Sequence, residues 1–153
     1  MKFMANKEKW TLSDMKAELD EVVSSWSSKV PGLNNVKELE ISKKMHKSLV
    51  ATISVVGDAT LDRVEKMTRI EKLKAAAASQ STVQDINILI DQFSHTTVMH
   101  KILRDRLKNN KPLPETPESA QTILQADARK HLSAQQKKKM VAQQKRSMKS
   151  LKR

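Results

Sequence analysis

Between Arg69 and Phe93 the chain reads RIEKLKAAAASQSTVQDINILIDQF, two helix-forming runs joined by a polar step at Ser79-Gln80. The first, Glu71 to Ala78, is alanine-rich and carries Lys72 and Lys74. The second opens with Ser81 and Gln84 at S/T-x-x-E/Q spacing, in which the hydroxyl accepts from a first-turn amide and the glutamine reaches back. Val83, Ile86, Ile90 and Phe93 then recur at steps of three and four, which is one helical face. The stretch predicts a helix-turn-helix. On a basic protein that is a common nucleic-acid-reading unit, and an ordinary hairpin in a bundle core has the same periodicity.

The rest of the chain is helical in pattern too. Two glycines, no tyrosine, 3% aromatics and abundant Lys, Ala, Gln, Ser and Met favour an all-α fold over a sheet. Thr11 to Trp26 predicts a helix with Thr11 and Asp14 at its cap and Leu12, Met15, Leu19, Val22 and Trp26 as its stripe. Ser27 to Val36 reads as a loop turning at Pro31-Gly32. A second helix, from about Lys37 to Val56, carries Ile41, Met45, Leu49, Ile53 and Val56 on one face; Gly57 suits its C-terminal cap, and Asp58 or Thr60 the next start. The third helix is expected over Leu61 to Ala78 with Leu61, Val64, Met67, Ile70 and Leu73 inward. The fourth runs from Thr82 to about Leu107. The expectation is one helical bundle of four to five helices over residues 1–108.

NNKPLPETP, residues 109–117, has three prolines in six positions and reads as a linker. Thr116-Pro117-Glu118 is a good helix start. From there to Arg153 apolar residues are sparse, and ten basic residues face two acidic ones, supplying eight of the net charge of +12. Residues 118–153 are therefore expected to be a long basic helical extension that orders on a polyanion, since packing supplies most helix stability; off a partner the reading is a solvated tail.

That charge, with a pI near 10.0, implies an anionic partner, nucleic acid before an acidic membrane surface. Without cysteine there are no disulfides, cysteine-ligated zinc or thiol catalysis. No apolar run approaches membrane-spanning length, so no integral membrane segment is expected. MKFMANKEKW has neither a signal-peptide core nor an Arg-rich presequence, as would also hold for a processed chain. An enzyme is not expected. His95 and His100 are five apart and off each other's face, the four histidines read as surface residues, and no phosphate loop, nucleophile motif, metal site or cofactor site stands out. Trp10 and Trp26 read as packing edges of the first helix, and Met15, Met45, Met67 and Met99 as flexible core filling.

From Lys74 to Phe93 the sequence resembles the M domain of the signal recognition particle's GTPase subunit, whose motif runs roughly R-I-A-x-G-S-G-T-S-V-Q-E-V-N-x-L-L-x-Q-F. Ser79, Val83, Gln84, Asn87, Leu89, Gln92 and Phe93 match it; Thr82, Asp85, Ile86 and Ile90 are conservative replacements, and Lys74 stands for the arginine. Trp10 to Met15 looks like that domain's opening, Val30-Pro31-Gly32 falls where it has I-P-G, and Met45 to Val56 looks like its second helix, so the likeness spans about Lys9 to Leu107. It implies a methionine-rich bundle whose helix-turn-helix grips RNA and whose finger loop binds signal peptides. On this chain the RNA-binding residues would be Arg69, Lys72, Lys74, Ser79, Gln80, Ser81, Thr82 and Gln84. In the extension, Arg129, Lys130, Lys137, Lys138, Lys139, Lys145 and Arg146 would follow phosphates. A peptide groove would fall at Met15, Leu19, Val30, Leu33, Met45 and Leu49.

Three departures shift the expectation. Ala78 and Gln80 replace the turn's two glycines, the finger region is short and poor in Met, and no GTPase domain accompanies the chain. The expected function is a non-enzymatic RNA-binding component of a larger ribonucleoprotein, in contact with structured RNA (ribosomal or signal recognition particle RNA) and neighbouring subunits. An organellar ribosome, mitochondrial first, is the expected place. The alternatives are a signal-sequence-binding particle subunit in the cytoplasm and, on the extension alone, a membrane-surface binder lacking the usual bulky apolar face.

Overall fold

The computed structural model describes residues 2–28 and 35–151. Among them the fold is all-α, with no strands. The helices are α1 (Lys2–Asn6), α2 (Leu12–Ser28), α3 (Asn35–Val56), α4 (Leu61–Val64), α5 (Arg69–Ala78), α6 (Val83–Lys108), α7 (Pro117–His131) and α8 (Ala134–Leu151). The Pro31-Gly32 turn, Val30 and Leu33 lie outside the described residues. Two compact units divide the chain, Glu8–Thr97 and Met1–Lys7 with Val98–Arg153. The division falls inside α6, not at the proline-rich segment.

In the larger unit α3 packs against both α2 and α5. Its core contains Trp10, Leu12 and Met15 at the start of α2, Leu49 of α3, Leu61 and Val64 of α4, and Ile86, Leu89, Ile90 and Phe93 of α6. The Trp10 indole N–H donates to Thr96 Oγ1 at 3.1 Å, satisfying the polar edge of a buried ring. The α3–α5 contact is made of small residues: Ser48, Ala51 and Thr52 are buried on one helix, Ala75 and Ala76 on the other. The face expected on α3 is therefore rotated. Leu49 is in the core, but Ile41 is 61% exposed.

Helix starts are closed by side chains. Thr11 and Asp14 form a capping box on α2, Thr11 N donating to Asp14 Oδ2 at 3.0 Å and Asp14 N to Thr11 Oγ1 at 3.3 Å. The next orphan amide, Ser13 N, reaches Asp58 Oδ1 at 2.9 Å, while Leu12 N donates to Ala59 O at 3.1 Å. Asp58 thus caps α2 from across the fold. Thr60 sits at the start of α4 without a side-chain cap bond, and Gly57 ends α3 at φ +78°, where only glycine is unstrained.

The single third helix expected over Leu61 to Ala78 is two helices, because Thr68 and Glu71 form a capping box that starts α5 afresh. Leu61, Val64 and Met67 are buried as expected; Ile70 and Leu73 point outward, 65% and 48% exposed.

In the smaller unit Met4, Ala5, Val98, Ile102, Leu103 and Ala120 are buried. His100 is buried with them and its Nε2 lies 2.8 Å from Lys7 O, so this histidine is not the surface residue expected. The extension is two helices. Thr116 and Ser119 form the capping box of α7, with Pro117 in the first turn. Ser133 and Gln136 restart the chain at α8, Gln136 N donating to Ser133 Oγ at 3.2 Å. Helix α7 is held to the end of α6 by Arg106 with Asp127 and by His131 with Asp105 at 3.3 Å, so this part of the tail has packing of its own.

Candidate nucleic-acid interface

The turn between α5 and α6 is built by the backbone first. Ser81 N donates to Ala76 O at 2.9 Å and Gln80 N to Ala77 O at 3.2 Å, the paired bonds of a Schellman ending, with Gln80 in the left-handed region at φ +54°. Serine hydroxyls then brace it. Ser79 Oγ donates to Ala75 O at 2.8 Å and lies 2.6 Å from Ser81 Oγ, and the buried Ser48 of α3 lies 3.4 Å from Ser81 Oγ. Ser79 and Ser81 are thereby spent on the fold.

The cap of α6 is one residue later than the sequence suggests. Thr82 N donates to Asp85 Oδ2 at 2.9 Å and Asp85 N to Thr82 Oγ1 at 3.1 Å, while Lys44 Nζ of α3 pairs with Asp85 Oδ1 at 3.0 Å. The Thr82 amide first, and Lys44 next, hold the Asp85 carboxyl down at about 2. At α5 the Arg63 guanidinium, then the Thr68 amide, hold Glu71 at about 2. Gln84, freed from capping, is exposed, as is Gln80 in the turn.

Of the cations expected here, Lys72 is turned inward and donates to Asn87 Oδ1 at 2.9 Å, tying α5 to α6. Arg69 and Lys74 are exposed. In the extension Arg129 is exposed and Lys130 pairs with Asp127 at 3.3 Å. Lys137, Lys138, Lys139, Lys145 and Arg146 are all exposed on α8, a helix with no acidic residue. Helical spacing gathers Lys138, Lys139, Lys145 and Arg146 along one side, a cationic row suited to a run of phosphates.

The residues placed in a peptide groove do not line an open surface together. Met15 and Leu49 are core residues, Leu19 and Met45 are half-buried, and Val30 and Leu33 lie outside the described residues. Sequence reasoning missed Lys44, whose i+4 neighbours give no hint of a partner in α6, and the T-x-x-D spacing of Thr82 and Asp85, which was readable. Among the described residues no cluster of His, Cys, Asp and Glu could hold a metal, and no helix is long and apolar enough to cross a membrane. Comparison of the chain with protein-family models, with curated proteins and with solved structures gives no match.

Proposed function

We propose that this chain is a non-enzymatic RNA-binding protein, akin to the M domain of the signal recognition particle, that serves as a structural component of a larger ribonucleoprotein, with an organellar (mitochondrial) ribosome as its first setting. The observation that carries it is α8: Lys137, Lys138, Lys139, Lys145 and Arg146 are all exposed, on a helix without a carboxylate. A polyanion is the partner such a helix fits, and phosphate contacts of this kind position a protein without reading sequence. The α5–α6 turn is the second contact, through the exposed Gln80 and Gln84. The M-domain motif has glycine where Gln80 stands, and Gln80 keeps the left-handed φ that glycine takes freely.

Binding of the intact protein to structured ribosomal RNA, titrated against salt, tests the reading. With about five phosphates neutralised, log K falls with log salt at a slope of roughly −4 to −5. Replacing Lys138, Lys139 and Lys145 together by Gln lowers that slope by about 2 to 3. Affinity indifferent to salt would overturn the proposal. Crosslinking of a signal peptide near Met45 on stalled ribosomes would favour the targeting subunit instead.

A further inference from the structure

Helix α5 turns an apolar face to solvent. Ala75 and Ala76 form its buried side and Lys72 is drawn in beside them to Asn87. On the opposite side Ile70, Leu73 and Ala77 follow at steps of three and four, Ile70 being 65% and Leu73 48% exposed. Arg69 and Lys74 border this stripe, both exposed and neither in an ion pair among the described residues. Stripes at i, i+3 and i+7 are how one helix lies against another, and an exposed apolar patch with a polar rim marks an interaction site.

The charge of the rim selects the occupant. A second copy would set Arg69 and Lys74 against the same cations, and like charges across a contact are unfavourable. An RNA backbone would satisfy the rim but leave Ile70 and Leu73 against phosphates. A ten-residue helix buries too little to hold a membrane surface alone. An amphipathic helix with an apolar stripe and flanking carboxylates satisfies both centre and rim.

We propose that the outward face of α5 (Ile70, Leu73 and Ala77, bordered by Arg69 and Lys74) is a docking surface for an acidic amphipathic helix of a protein partner. This does not depend on RNA binding by α8.

The test uses the intact ¹⁵N-labelled protein and two synthetic helical peptides, each with leucines at i, i+3 and i+7. One carries flanking glutamates and the other lysines. Saturable amide shifts confined to Arg69–Ala77 with the glutamate peptide, absent with the lysine peptide, are expected. The double variant R69E/K74E should exchange the preference, and I70S/L73S should abolish binding by either peptide while leaving the salt slope for RNA unchanged. Both pairs are surface changes, and an unaltered spectrum outside α5 checks the fold. No saturable shift, equal response to both peptides, or concentration-dependent self-association through these residues would each overturn the proposal. So would an RNA-induced shift centred on Ile70 and Leu73.

Discussion

Gln80 holds a backbone conformation that a side chain resists. At φ +54° its Cβ crowds the following carbonyl, a cost of about 1 kcal/mol that glycine escapes, offset in part by glycine's greater freedom when unfolded. Gln80→Gly is therefore expected to stabilise the protein by about 0.5–1 kcal/mol in urea denaturation. Asn110, at φ +50° in the matching ending of α6, should gain less from the same change because asparagine tolerates this region. A loss of stability in the glycine variant at position 80 would show that the glutamine side chain contributes more than its strain costs. Glutamine itself does not mark position 80 as left-handed; the glycine of the resembled motif is the one sequence signal there. The conformation is imposed by the bonds from Ser81 to Ala76 and from Gln80 to Ala77, which are tertiary consequences of where α6 must start.

Helices α5 and α6 are both opened by a carboxylate that is ionised far below its ordinary range, Glu71 at about 2 against 4.5 and Asp85 at about 2 against 3.8. The folded state holds these groups deprotonated, so the unfolded chain binds protons more readily. Their stabilisation is whole above about pH 4.5 and is lost as pH falls toward 2. Far-UV circular dichroism across that window should show acid unfolding that is shallower in E71Q/D85N, whose stability is already lower at pH 7. Equal acid slopes in the two proteins would remove the caps from the account. Both boxes were legible as spacings, T-x-x-E at Thr68 and T-x-x-D at Thr82, yet each was hidden by a stronger-looking pattern. Leu61, Val64, Met67, Ile70 and Leu73 step by three throughout, and a step of three falls short of a helical turn by about 60° each time. Such a run cannot stay on one face: the helix ends at Val64, a new one starts at Arg69, and the last two residues end outside. At the next start, Ser81 and Gln84 offered the motif one residue early. The carboxylate of Asp85 makes the stronger, charge-assisted bond, and Ser81 is already committed to ending α5.

At the scale of the molecule, helix content and the core of α6 were readable from periodicity, because Ile86, Ile90 and Phe93 need only one face buried. The α3–α5 contact was not, since Ser48, Ala51, Thr52, Ala75 and Ala76 carry no hydrophobic signature and matter by being small. Helix α8 lies at the other extreme: of its described side chains only Gln136 is even half-buried. Amides of α8 should exchange at the shortest labelling times in the free protein and slow when structured RNA is added. Those from Ile86 to Phe93 should be the last to exchange in both. Strong protection of α8 without RNA would require packing that its exposure does not supply. The cap that Asp58 places on Ser13, 45 positions earlier, has a consequence for synthesis. A chain leaving the ribosome shows all of α2 long before Asp58 emerges, so α2 has its local Thr11–Asp14 cap while Ser13 N and Leu12 N stay in water. The first helix of the larger unit is thus completed from behind, when the residues that follow α3 arrive to close its beginning.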